Sequence, residues 1–471
     1  MNPNVRVMEY AVRGKVPLEA MKIKQELEQA SGSTKYPFKK VLFANIGDCH
    51  AMGQKPITFV RQVLAAGVLP ELMSKALFPS DVTERARAVL QSASGHSLGS
   101  YTDSRGLHVV RKHVAEFLEK RDGFPADMDC IYLINGASEG IKQIMKLAIQ
   151  CDRKVGFLLP IPQYPLYTAC IAENNADVVP YYLDEDNNWA ISVDTLRKSI
   201  AEGRKHCEPS MMICINPGNP TGQLLNEENM KQIIQFCHKE QLVLLADEVY
   251  QENVYKEGAK FVSFKKVLRS MGPEYDKFQL VSFNSISKGY LGECGLRGGY
   301  MELIGFDSAM MGQIYKMSSA MLCSTSVGQT VTDVLVNPPR PGEPSYKTFQ
   351  EERGSVLSAL RRKAKLVTEG FNAVPGVHCN EVQGAMYAFP KINIPAAAQA
   401  DAEANNMQLD EYYCLMFLRE TGVCVVPGSG FRQIPGTWHF RTTILPPEED
   451  IKLLLQRFAQ FHTNFVQRYS R

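Results

Sequence analysis

Four short stretches of this chain each set reactive or polar residues directly after a strand-like run. The run 279–284 leads into Ser285-Ile286-Ser287-Lys288-Gly289-Tyr290, with Arg297 nine residues beyond the lysine. Two hydroxyls and two cations would surround a phosphate, and a lysine withdrawn from water can act as nucleophile or base. The run 242–247 ends in Asp247-Glu248-Val249-Tyr250, placing a carboxylate at the end of a strand expected to be buried. A desolvated carboxylate needs a cationic partner. The run 211–216 ends in Asn216-Pro217-Gly218-Asn219-Pro220-Thr221-Gly222, a constrained turn that presents amides. The run 130–135 leads into Gly136-Ala137-Ser138-Glu139-Gly140 at the start of a helix, where free N–H groups and a hydroxyl make an anion site.

Taken singly, each stretch has an ordinary explanation: a serine or aspartate helix cap, a rigid turn, a solvated lysine. Taken together they describe a site for a phosphorylated aromatic ligand with a protonatable ring and an aldehyde. Pyridoxal 5'-phosphate satisfies all four.

Ligands of open parallel sheets bind at the carboxyl ends of the strands, so these stretches must be carried by such a sheet. Strands are expected at 130–135, 154–159, 177–183, 211–216, 242–247, 279–284 and 299–303, separated by helical patterns. The fold class is α/β, with a large, mostly parallel seven-stranded sheet and a smaller α+β domain. A proline-rich break at 337–342 precedes a long charged helical stretch through Phe371. Strand-like runs follow at 386–389, 423–426 and 438–445, and a closing helix at 447–469. This divides the chain into an N-terminal arm with part of the small domain at 1–84, a cofactor-binding domain at 85–340 and a small C-terminal domain at 341–471.

With 471 residues, 45% hydrophobic and 22% charged, the chain has ample core. A net charge of +2 and the lack of long basic runs argue against nucleic acid, and no apolar run approaches the roughly 20 residues that cross a bilayer. Twelve cysteines stand singly without metal-ligand spacing, so no metal is expected and a reducing compartment fits. His439 is read as a strand residue, and Met310-Met311 and Met317 as core or dimer packing. The first ten residues carry no apolar or acid-free basic leader, so the expected location is cytoplasmic, with a mitochondrial form from an alternative N-terminus left open.

In this order the stretches resemble the class I/II pyridoxal-phosphate aminotransferases of fold type I. The similarity extends to the branch that works on alanine, through Glu9-Tyr10-Ala11-Val12-Arg13-Gly14, Asn45-Ile46-Gly47-Asp48, Gly53-Gln54-Lys55-Pro56-Ile57-Thr58-Phe59 and residues 247–255. It continues in Gly289-Tyr290-Leu291-Gly292-Glu293-Cys294-Gly295 and His439-Phe440-Arg441-Thr442-Thr443-Ile444-Leu445-Pro446-Pro447, and spans about residues 2 to 465. Where many class members carry Pro-Gly-x-Arg, this chain has Cys294-Gly295-Leu296-Arg297.

The resemblance implies that Lys288 holds the cofactor as a Schiff base and that Asp247 pairs with the pyridine nitrogen. Tyr250 and Asn219 would bond the ring oxygen, and Tyr164 would stack on the ring. Ala137, Ser138, Ser285, Ser287 and Arg297 would hold the phosphate. Arg441 would grip the substrate α-carboxylate, helped by Asn219 and the Gly47 backbone. Tyr101, in Gly99-Ser100-Tyr101-Thr102-Asp103-Ser104-Arg105-Gly106, would reach the partner subunit's phosphate, which implies a homodimer. The implied reaction is ping-pong exchange of L-alanine and 2-oxoglutarate for pyruvate and L-glutamate, with aromatic or kynurenine transamination on the same fold as the alternative.

Overall fold

The structure is a computed structural model that describes residues 1–8, 10, 14–29 and 35–470. Glu9 and residues 11–13 of the first motif lie outside the described residues.

Seven strands form one sheet, ordered from edge to edge as Ile131–Leu133, Gly299–Ile304, Leu280–Ser285, Val243–Asp247, Glu208–Ile215, Val155–Ile161 and Asp177–Tyr182. The last five pair in parallel, whereas Gly299–Ile304 runs antiparallel to both of its neighbours. Every residue of Val155–Ile161, Leu280–Ser285 and Gly299–Ile304 is buried. Burial on both faces explains why Val155–Ile161 reads as a continuous apolar run, whereas Ser282, Asn284 and Glu302 of the other two are paired inside with Glu248, Tyr300 and Lys265. Helices Ala137–Leu147 and Pro165–Glu173 cover one face, packing Ile141, Ile144, Leu166 and Cys170 against Phe157, Ile213 and Val281. Helices Val193–Gly203, Glu227–Glu240 and Phe264–Ser270 cover the other through Leu196, Ile233, Ile234 and Val267.

A second helical layer, Thr58–Val68, Ser80–Ser92, His108–Asp122 and Ser326–Val336, packs its own apolar core beside the antiparallel edge. The remaining core gathers helices Lys15–Gln29, Tyr346–Asn372, Leu409–Thr421 and Glu448–Tyr469 around a small antiparallel sheet of Tyr387–Ala388, Phe440–Thr443 and Val426–Pro427. Leu42–Phe43 pairs in parallel with Val423–Cys424, so the N-terminal stretch closes onto the C-terminal one. Among the described residues no helix is long and apolar enough to cross a membrane.

Candidate active site

The parallel strands end on one side of the sheet, and the polar residues that follow them converge there. Asp247 is the last residue of Val243–Asp247 and Ser285 the last of Leu280–Ser285. Gly136, at φ 83°, turns the chain from the edge strand into helix Ala137–Leu147, and no side chain caps that helix. Its first N–H groups are left for an anion. Glu139 is engaged elsewhere, accepting from the backbone N–H and side-chain amide of Asn135. A Cβ on Gly136 would lie 2.3 Å from the Arg297 guanidinium, so glycine is what lets that cation approach the helix start.

A cavity of about 460 Å³ opens at this point, and Gly47, Ala137, Ser138, Tyr164, Asn219, Asp247, Tyr250, Ser285, Ser287, Lys288 and Arg297 all line it. Arg441 lies against it, with Nη1 donating to Asn219 Oδ1 at 3.2 Å and Nη2 to the Asn45 carbonyl at 2.7 Å. Tyr101 is not among the lining residues; it is 74% exposed on the loop before helix His108–Asp122.

One end of the cavity holds cations and hydroxyls. Arg297 Nη1 reaches Ser287 Oγ at 3.4 Å, and its Nη2 donates to the Asn135 carbonyl at 2.8 Å. Ser285 Oγ accepts from the Ser287 backbone N–H at 3.2 Å. The other end holds Asp247. Tyr167 donates to its Oδ2 at 2.8 Å, while Oδ1 is buried without a hydrogen-bond partner. Burial raises the Asp247 carboxyl above the ordinary aspartate value, with the Tyr167 hydrogen bond, the Val249 backbone N–H and the Lys288 charge pulling against it. A buried carboxylate oxygen without a partner is the arrangement that a protonated ring nitrogen would complete.

Between the two ends stands Lys288, whose Nζ donates to the Gly47 carbonyl at 3.3 Å and lies 5.6 Å from the Tyr250 ring centre. A Cβ at Gly47 would come within 2.1 Å of the Tyr387 hydroxyl, so only glycine lets this backbone pass. Burial pulls the Lys288 amine down, but Tyr387, Cys294 and Cys49 outweigh it and leave it above the ordinary lysine value. For Tyr387, burial pushes up while Lys288 and Arg441 pull down, and the cations prevail. Tyr250 and Tyr164 are pushed well above the ordinary tyrosine value, chiefly by burial.

Several further residues take part to which the sequence assigned no role, Tyr387 and Tyr167 outside the quoted motifs and Cys294 and Tyr10 within them. Tyr387 packs edge-on against Tyr250 and carries the Arg441 guanidinium 4.2 Å above its ring centre. Cys294 lines the cavity within 3.8 Å of the Gly47 carbonyl. Tyr10 joins it from the N-terminal arm, its hydroxyl 3.0 Å from that of Tyr164. Tyr167 and Tyr387 lie in apolar runs and carry no local signal of this role.

Residues 63–458 match the family profile described as "Aminotransferase class I and II". The chain is 52% identical to "Alanine aminotransferase 2" of Xenopus tropicalis, covering 100% of this chain and 90% of the relative. It is 49% identical to "Alanine aminotransferase 1" of Homo sapiens, covering 100% of this chain and 95% of the relative. The fold is similar to the crystal structure of an aminotransferase from Escherichia coli, at a TM-score of 0.77 and 25% identity over 99% of both chains.

Proposed function

The chain belongs to the class I and II aminotransferases, and from that premise we propose that it transfers the amino group of L-alanine to 2-oxoglutarate, giving pyruvate and L-glutamate. It is an aminotransferase and depends on pyridoxal 5'-phosphate. The observation that carries the reading of the site is the buried, unpartnered Oδ1 of Asp247 in the same cavity as the Lys288 amine. Ser138, Ser285, Ser287, Arg297 and the uncapped helix start fit the phosphate. Asp247 fits the ring nitrogen and Lys288 the aldehyde carbon, while Tyr164, Tyr250 and Asn219 border the space for the ring.

When bound, pyridoxal phosphate supplies an aldehyde that exchanges amino groups and a protonated ring that accepts the electron pair left at the substrate α-carbon. The chain's residues do the rest. Arg441 holds the α-carboxylate, because a planar guanidinium matches it with two parallel hydrogen bonds. Lys288 Nζ would take the α-proton as base and deliver it to the carbon that bore the cofactor's aldehyde oxygen. Asp247 keeps the ring nitrogen protonated by opposite charge in a dry site. Amino donor and oxo-acid acceptor use one site in turn, so the kinetics are ping-pong.

The same reading assigns the N-terminal arm and part of the small domain to 1–84, the cofactor-binding domain to 85–340 and the small domain to 341–471, with the cavity between them. It also makes the protein a homodimer. Tyr101 is exposed, as are Tyr315, Met321 and Leu322, and its loop meets that segment where Arg105 lies over the Tyr315 ring and the Thr102 N–H points to Cys323 Sγ at 3.5 Å; exposed apolar residues of this kind suit a second copy. Twelve unpaired cysteines favour a reducing location such as the cytoplasm.

The test of substrate is the amino-donor profile with 2-oxoglutarate as acceptor. Alanine should give the highest kcat/KM, and a preference for phenylalanine or kynurenine would reassign the enzyme within its family.

A further inference from the structure

Two residues before Arg441, His439 is 2% exposed and held at both ring nitrogens. Nε2 lies 3.0 Å from Oε1 of Glu185, and Nδ1 lies 3.0 Å from Oε1 of Gln433. The Gln433 amide has only one sensible orientation, because its Nε2 donates to Asp410 Oδ2 at 3.1 Å. Burial raises the Asp410 carboxyl above the ordinary value. Even so, Oδ2 already accepts from the Ser429 N–H at 2.6 Å and Oδ1 from the Glu411 N–H at 3.0 Å, so it faces Gln433 as an acceptor. Glu185 is likewise an acceptor. Its other oxygen, Oε2, lies 3.4 Å from the Lys391 ammonium, a cation that keeps the carboxylate charged.

An imidazole flanked by two acceptors must donate from both nitrogens, and only the imidazolium can. The surrounding charges accommodate it. Glu185 faces both Lys391 and His439, Asp410 stands behind Gln433, Arg441 is on the same extended segment as His439, and the rings of Phe389 and Trp189 close the remaining sides. A Cβ on Gly428 would lie 2.5 Å from Gln433 Oε1 and 2.9 Å from the His439 Cβ, so a glycine there makes room for the pair.

The clasp ties two parts of the molecule together at the substrate arginine. Glu185 follows the sheet-edge strand Asp177–Tyr182, whereas His439 enters Phe440–Thr443 of the small sheet. His439 and Arg441, two residues apart on an extended segment, project to the same side. A chain of ring contacts joins them. His439 stacks on Phe389 at 4.7 Å, Phe389 meets Phe431 edge-on at 5.8 Å, and Phe431 lies 4.6 Å from the Arg441 guanidinium carbon.

We propose that His439 is the positioning residue for Arg441, a buried imidazolium whose two hydrogen bonds fix the small sheet against the large one at the distance that carboxylate binding requires. The proposal rests on the reading of Arg441 as the α-carboxylate residue. Removal of one proton turns a ring nitrogen into an acceptor facing another acceptor, so one of the two bonds is lost and Arg441 is freed to shift. The effect falls on substrate binding rather than on proton transfer at Lys288.

The experiment combines two readouts on the holoenzyme. In protein labelled with ¹⁵N in its histidine rings, the His439 signal, assigned by its absence from His439→Gln, should show protons on both nitrogens at neutral pH. As pH rises and that proton is lost, KM for 2-oxoglutarate should rise roughly tenfold, the size of one charge-assisted hydrogen bond, with kcat little changed. In Glu185→Gln the new amide can donate to a neutral ring. His439 should then carry one proton, KM at neutral pH should stay within a few-fold of wild type, and the pH step should vanish. Should His439→Gln fail to fold, the ring signal that changes in Glu185→Gln provides the assignment. A neutral His439 in the wild type, or the same KM step in Glu185→Gln, overturns the proposal. Arg441→Lys, measured alongside, separates the two levels. Normal kcat/KM there removes the carboxylate reading and this proposal with it, whereas a collapse there with either His439 readout failing removes this proposal alone.

Discussion

Tyr167 donates its hydroxyl hydrogen to Oδ2 of Asp247 at 2.8 Å, while Oδ1 of the same carboxylate is buried with no partner. One oxygen is spent on orientation and the other lacks the hydrogen bond that a buried acceptor normally makes. A side chain placed only for stability would be expected to satisfy both, because an unpaired buried acceptor costs about 1–3 kcal/mol.

Asp247→Asn should therefore retain pyridoxal phosphate and lose most turnover, about 100-fold or more in kcat, because a neutral amide cannot hold the ring proton. Tyr167→Phe should lose about tenfold, the value of one hydrogen bond to a charged oxygen. Cofactor absorbance and kcat measured on both variants check this ordering. Near-normal turnover in Asp247→Asn would place the electron sink elsewhere.

The parts of this site that were legible in the sequence are those that follow a strand directly. Asp247, Ser285, Lys288 and the Gly136-Ala137-Ser138 helix start announce themselves because a buried strand and its terminal polar residues are contiguous. Tyr387, Tyr167 and the Asn45 carbonyl could not be read in this way. Tyr387 sits 99 residues after Lys288 in an apolar run, and nothing local separates it from core. His439 had the look of an ordinary strand residue because Glu185 and Gln433 reach it only through the fold. The seven large strands were readable from their apolar runs, whereas the antiparallel direction of Gly299–Ile304 depends on pairing that no local pattern encodes.

Arg441→Lys should weaken alanine, pyruvate, glutamate and 2-oxoglutarate together, by roughly 2 to 5 kcal/mol in kcat/KM, while cofactor content stays unchanged. Steady-state kinetics beside a melting curve check it. A loss confined to glutamate and 2-oxoglutarate would move Arg441 to the distal carboxylate.

Tyr101→Ala and Lys288→Ala subunits, each inactive alone, should regenerate part of the activity when mixed, if each site draws on both chains. Heterodimers demonstrated by mass and no more active than their parents would confine Tyr101 to its own subunit.

Glu248, next to Asp247 but buried behind the sheet, accepts from the Phe264 N–H at 2.8 Å and from the Ser282 hydroxyl at 2.5 Å. Burial pushes its carboxyl up to about 7, against the Arg121 charge and the Ser282 hydrogen bond. The folded protein thus binds this proton more tightly than the unfolded chain does. Its contribution to stability is present below the unfolded value and is lost as pH rises toward 7, by up to about 3 kcal/mol. Glu248→Gln should raise Tm more at pH 8 than at pH 5, and thermal melts at the two pH values measure the difference. An equal shift at both would mean that Glu248 does not change its charge between pH 5 and pH 8.

The most direct test of the account is borohydride reduction of the holoenzyme followed by peptide mapping, before and after addition of L-alanine without an oxo acid. The account predicts one cofactor fixed per subunit on the peptide containing Lys288, and loss of that label after alanine as one pyruvate per subunit appears in solution. A label on any other lysine, or a Lys288 label that survives alanine with no pyruvate released, would contradict it.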